Sequence, residues 1–291
     1  MSATRELTQQ TPDAPGNPTA HDGQHRRSGG RGGMDGVVLT FSDVHLSFAG
    51  VKAIAGVSFE VAERELFAVI GPNGAGKTSI FNVLSGVYQP QRGRVVFAGT
   101  DIIGRPPHRI AAMGMARTFQ NVELFTNLTV LDNLMLGRHT HLRYGTLAAL
   151  GWLGRARRGE VAARAAVEEI VDFLDLAPWR RTPVGLLPYG VQKRVELGRA
   201  LATKPRLLLL DEPVAGMNLE ETEDMARYVL DIRDDLGIPI LLVEHDMGPV
   251  MDLADRVIVV DFGVPIATGT PAEIQKNPDV IKAYLGEAGT P

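Results

Sequence analysis

The chain has 291 residues, 44% of them apolar and 22% charged, with a net charge of −4; this is the profile of a soluble globular protein with a sizeable core, and the acidic balance counts against a nucleic-acid binder that works by neutralising phosphates. It contains no cysteine, which excludes a disulfide framework, a thiolate metal site and a cysteine nucleophile. No apolar run reaches the roughly 20 residues that cross a bilayer, and the N-terminus lacks the apolar stretch of a signal peptide, so a soluble, intracellular protein is expected.

Residues 1–36 hold seven Gly, three Pro and only six apolar residues (Met1, Ala3, Leu7, Ala14, Ala20 and Met34). That is too little apolar surface to offset ordering entropy, and the stretch is expected to be a disordered tail. From Val37 the pattern changes. Val37–Phe48 and Val57–Val61 are β-type runs separated by turn residues, expected in an antiparallel sheet. Leu66–Ile70 is a continuous apolar run that ends at a glycine-rich loop, and the helix after it carries Ile80, Phe81 and Leu84 on one side. Met115–Phe119 is a further β-type run. Residues 129–202 read as mostly helical, with Ala163, Val167, Ile170 and Leu174 at helical spacing. Within them, Arg138–Arg164 carries six Arg against one Glu, which reads either as a surface for anionic headgroups or as an ordinary solvated helix pair. Leu207–Leu210, Ile240–Val243 and Val257–Val260 are short apolar runs of the kind buried on both faces of a sheet. Met225, Val229, Ile232 and Leu236 mark one face of a helix over Leu219–Leu236. Alternating strands and helices of this kind imply an α/β domain with a largely parallel sheet.

The glycine-rich loop carries the chemistry. Gly71-Pro72-Asn73-Gly74-Ala75-Gly76-Lys77-Thr78 matches G-x-x-x-x-G-K-[ST], directly after a buried strand and at the start of a helix. Gly71, Gly74 and Gly76 allow successive backbone N–H groups to curl around a phosphate. The helix N-terminus adds partial positive charge. Lys77 is expected to reach the β- and γ-phosphates, the Thr78 hydroxyl to ligate Mg²⁺, and Ser79 to add a hydroxyl contact to phosphate: a nucleoside triphosphate site. Leu207–Leu210 leads into Asp211 and Glu212 at a strand's C-terminal end, where α/β sheets place ligands. Asp211 is suited to hold Mg²⁺, and Glu212 to orient and deprotonate the attacking water. Gln120 and His245 lie at or just beyond strand ends; each alone is more often an ordinary satisfied polar group. Leu187–Glu196 opens the helix leading to Ala200–Ala202, and Gly190 near its start can offer backbone N–H groups to a second anion.

Taken in order, these residues resemble the ATP-binding subunit of an ABC transporter, over about residues 37–287. Leu187–Glu196 with its Tyr189, the helical insert and the ending Asn277–Glu287 are similar to the branched-chain amino acid importer type. The resemblance implies a P-loop NTPase core with a mostly parallel sheet, an N-terminal antiparallel β subdomain and a helical subdomain at about 129–202, with residues 288–291 as a tail. It implies Phe48 as the aromatic that stacks on adenine. It implies Gln120 as a sensor of the γ-phosphate and Mg²⁺, Tyr189 and Gly190 as signature residues on nucleotide, and His245 as a γ-phosphate contact that helps Glu212 hold water. Ala215–Asn218 is then the loop that communicates between sites. Two membrane permease subunits, a second ABC ATPase subunit and, indirectly, an extracytoplasmic solute-binding protein are the implied partners, without nucleic acid, at the cytoplasmic face of the membrane. A lipopolysaccharide exporter ATPase and a soluble non-transport ABC ATPase are the alternatives. The chain departs from the family pattern at Pro188, where Ser is usual, at Tyr189, where Gly is usual, and at Asn218, where Asp is common. Pro188 offers neither hydroxyl nor N–H, which implies a weaker composite site and so a heterodimer.

Overall fold

A computed structural model describes residues 36–120, 122–138 and 155–287. The expected tails, Gly36 excepted, and residues 139–154 of the Arg-rich stretch lie outside them. In chain order the strands are β1 (Val37–Phe48), β2 (Val51–Ala62), β3 (Leu66–Ile70), β4 (Arg92–Phe97), β5 (Thr100–Asp101), β6 (Met115–Arg117), β7 (Leu207–Asp211), β8 (Ile240–Glu244), β9 (Arg256–Asp261) and β10 (Val264–Gly269). The helices are α1 (Lys77–Leu84), α2 (Pro107–Ala112), α3 (Val130–Arg138), α4 (Arg155–Phe173), α5 (Tyr189–Ala202), α6 (Leu219–Asp234), α7 (Met247–Leu253), α8 (Pro271–Gln275) and α9 (Pro278–Glu287).

The strands form two sheets, a four-stranded one in the order β2-β1-β4-β5 and a six-stranded one in the order β10-β9-β3-β8-β7-β6. The first is antiparallel throughout. The second is parallel except for its β10 edge. The uninterrupted apolar runs of β3, β7 and β8 explain why these strands are central, since every residue in them is buried. Their side chains alternate between two cores. Leu66, Ala68, Ile70, Leu208, Leu210, Ile240 and Leu242 join the core built with α3, α4, α5 and α6. Phe67, Val69, Leu207, Leu209, Leu241 and Val243 join the core built with α1 and the four-stranded sheet. Phe41, Phe59 and Phe67 stack through the second core at centroid distances of 4.9 and 5.2 Å. Burying one such side chain stabilises the fold by about 1.5–3 kcal/mol.

Parallel pairing puts the C-terminal ends of β3, β7 and β8 on one edge, with Ile70 opposite Glu244 and Asp211 opposite Val243. Loops that leave this edge converge. Several boundaries differ from those expected. β2 begins at Val51, because pairing with β1 carries it through an exposed, weakly patterned start. The Met115–Phe119 run is strand only to Arg117, and α6 ends at Asp234, before Leu236. In the Arg-rich stretch, Arg138 is buried and donates to the Ala202 carbonyl at 3.1 Å, while Arg164 pairs with Glu160 one turn away on α4 at 3.1 Å. Among the described residues, no helix is long and apolar enough to cross a membrane.

Candidate active site

The loop between β3 and α1 is fixed from both sides. Gly263, in the β9–β10 turn, donates its N–H to the Ala75 carbonyl at 2.9 Å, and Ala55 of β2 donates to the Gly263 carbonyl at 2.8 Å. Gly71 and Gly76 have φ values of +154° and +101°, and a Cβ on them would come to 2.0 Å from the Val260 carbonyl oxygen and 2.2 Å from the Ala53 carbonyl oxygen. Only glycine fits there. The N-cap of α1, Gly76, makes no side-chain cap hydrogen bond, and a helix N-terminus is suited to an anion. Lys77 is 5% exposed. Its ammonium donates to the Gly71 carbonyl and, at 2.9 Å, to the Pro72 carbonyl, so the cation lies over the loop. Thr78 is exposed and Ser79 half-buried on the same turn, while Asn73 and Gly74 form the exposed lip and Pro72 and Ala75 are buried.

The loops after β6, β7 and β8 bring the other candidates together. Asp211 ends β7 and is 4% exposed. Glu212 follows in a left-handed conformation, φ +47°, a strained backbone of the kind concentrated at functional sites. Gln120 donates its amide to Glu212 Oε2 at 2.9 Å, and His245 Nδ1 lies 3.5 Å from the same oxygen. Three residues far apart in sequence thus meet on one carboxylate atom. Arg117, unnoticed in the sequence, donates to Asp211 Oδ2 at 2.7 Å.

The architecture and this loop cluster have counterparts. Residues 54–215 match the family model described as ABC transporter, and residues 264–290 match that of the branched-chain amino acid ATP-binding cassette transporter. The chain is 43% identical to the high-affinity branched-chain amino acid transport ATP-binding protein BraF of Pseudomonas aeruginosa, over 88% of this chain and all of that one. It is 39% identical, over the same shares, to the LivG protein of Escherichia coli K12, which carries the same description. The ADP conformation of MJ1267, an ATP-binding cassette of an ABC transporter, superposes with a TM-score of 0.75 at 31% identity, covering 86% of this chain and 99% of that one. This chain belongs to the ABC transporter family. It is an ABC-type ATPase, and ATP is its nucleotide.

In the cassette, Pro188 is the N-cap of α5, and Tyr189 and Gly190 form its first turn. Gly190 is buried, and a Cβ on it would come to 2.4 Å from Glu221 Oε1. Glu221 in turn belongs to a capping box with Asn218: the Glu221 N–H donates to Asn218 Oδ1 at 2.9 Å, and the Asn218 N–H donates to Glu221 Oε2 at 3.1 Å. Asn218 is therefore the cap of α6. Further along α5, three charged side chains hold the backbone around Gln120. Lys193 donates to the Gln120 carbonyl at 2.8 Å, Glu196 accepts from the Phe119 N–H at 3.1 Å, and Arg199 donates to the Glu123 carbonyl. Burial lowers the Lys193 pKa and raises that of Glu196. Phe48 is 44% exposed and meets Tyr88 edge to face at 4.9 Å, a second aromatic that sequence spacing does not reveal. Glu244 is 1% exposed, and neither of its oxygens has a well-formed hydrogen bond among the described residues. Burial, then the charge of Glu212, push its pKa up to about 7.

Proposed function

We propose that this cassette energises uptake of branched-chain or related amino acids, as the ATP-hydrolysing subunit of an importer. The match of residues 264–290 to the branched-chain amino acid cassette model carries this reading, beside the likeness to BraF and LivG over nearly the whole chain. Residues 71–79, with Lys77 as the charge and the α1 amides as donors, bind the ATP phosphates. Phe48 offers a face for adenine. Glu212 is the general base, Gln120 and His245 hold its carboxylate from two sides, and His245 contacts the γ-phosphate. The fit to Mg²⁺ rests on the donors: Asp211, Thr78 and Gln120 all offer hard oxygens of the kind this ion takes. Mg²⁺ bound there would neutralise charge on the phosphates.

The start of α5, with Tyr189 and Gly190, serves the ATP of a second cassette, and the two cassettes sit on two permease subunits at the cytoplasmic membrane face. An extracytoplasmic solute-binding protein selects the amino acid, and the missing Pro188 donor favours a different companion cassette. The test is uptake of labelled leucine, isoleucine and valine in a strain lacking this gene. Restoration by the parent chain but not by Lys77→Ala is expected. Unchanged uptake in the deletion strain would overturn the assignment and leave the lipopolysaccharide exporter or a soluble ATPase to be tried.

A further inference from the structure

Arg117 is the last residue of β6, and its guanidinium is anchored on four sides. One terminal nitrogen donates to Asn82 Oδ1 at 2.8 Å and to Ser85 Oγ at 3.2 Å, on and just beyond α1. The rings of Phe81 and Phe119 lie 5.3 and 5.2 Å from its central carbon. The other terminal nitrogen donates to Asp211 Oδ2 at 2.7 Å, and the two side chains are only 11% and 5% exposed. Arg117 also lines a groove of about 390 Å³ together with Phe119, Glu196 and Arg199.

A buried ion pair often serves only to hold a fold together, and replacing one by apolar groups can even be neutral. Two features set this pair apart. The guanidinium keeps its place through two polar side chains and two rings without help from Asp211, so Arg117 positions the carboxylate rather than the reverse. The carboxylate it holds also lies at the C-terminal end of β7, on the sheet edge where β3 runs into the phosphate-binding loop. With Oδ2 engaged, Asp211 has fewer acceptor sites left for another cation, and a full positive charge stands 2.7 Å from that oxygen. Coulomb repulsion at that range, in a poorly solvated setting, is large.

We propose that Arg117 is a positioning residue that holds one oxygen of Asp211 and, through its charge, prevents the cassette from holding a divalent cation unless nucleotide is present. The inference rests on the reading of Asp211 as a Mg²⁺ partner. The state without nucleotide is then already charge-balanced, and metal enters with the phosphates that share its coordination.

The test uses the full chain and Mn²⁺ as a paramagnetic probe, with free ion counted by electron paramagnetic resonance, with and without a non-hydrolysable ATP analogue. Arg117→Gln is expected to tighten Mn²⁺ binding without nucleotide by about tenfold or more. Arg117→Lys, which keeps the charge, is expected to stay as weak as the parent, and Asp211→Asn added to Arg117→Gln to cancel the gain. If Arg117→Gln leaves nucleotide-free affinity within about twofold of the parent while Asp211→Asn abolishes nucleotide-dependent binding, the proposal fails and the reading of Asp211 stands. If Asp211→Asn leaves nucleotide-dependent binding intact, the reading of Asp211 fails and the proposal with it. Should Arg117→Gln not fold, Phe119→Leu removes one supporting ring from a partly exposed site. A gain of about threefold is then expected, and no gain overturns the proposal.

Discussion

The Gln120 side chain donates to Glu212 Oε2 at 2.9 Å across 92 residues of sequence. His245 approaches the same oxygen at 3.5 Å, so the carboxylate proposed as general base is gripped by groups from two other loops. Its geometry then depends on where the Gln120 segment sits, and three side chains of α5 fix that segment by its backbone. Glu212→Gln is expected to keep ATP affinity within about twofold and to lower turnover by about 10²–10⁴. Nucleotide titration and phosphate release on the assembled transporter check this.

The phosphate-binding loop gives a backbone prediction. Gly76→Ala must force a Cβ against the Ala53 carbonyl at a positive φ, and a loss of about 3 kcal/mol or more in denaturant unfolding is expected. Gly74→Ala meets nothing within 4 Å and should cost only about 1 kcal/mol, the left-handed penalty alone. Equal losses at both positions would mean that the steric argument is wrong.

Glu244 gives a pH prediction. Its pKa is raised by burial and by Glu212 to about 7, so the folded state favours the protonated form. The stability this confers is complete at pH values below the ordinary carboxylate range and is lost as pH rises through 7. The size is about 3 kcal/mol. Glu244→Gln should therefore match the parent near pH 4.5 and be more stable at pH 8, a divergence that unfolding curves at several pH values would reveal.

Pro188 caps α5 without a side-chain hydrogen bond. Pro188→Ser restores a capping hydroxyl, with an expected gain of about 1 kcal/mol in stability and higher ATPase activity in the assembled transporter. A stability gain with unchanged activity would show that the serine acts here only as a cap.

The features visible in the sequence share one property: the residues are local. The glycine loop, the all-buried strands β3, β7 and β8, and the Asp211–Glu212 pair each declare themselves within ten residues. β4 did not, because half of Arg92–Phe97 is exposed and its apolar pattern is short, and β10 did not, because Pro265 and its partly exposed residues suit only an edge. Tyr88 beside Phe48, Arg117 on Asp211 and the three α5 side chains around Gln120 become meaningful only through pairings that cross 40 to 94 residues. Asn218 departs from the family pattern, and its place is that of the N-cap of α6, which only the start of that helix defines.

Glu221 closes the capping box of α6 and also fills the space that a side chain on Gly190 would need. One carboxylate thus borders two segments, the end of the turn at 215–218 and the start of α5. Any side chain added at Gly190 would therefore press on the same group that closes the α6 cap.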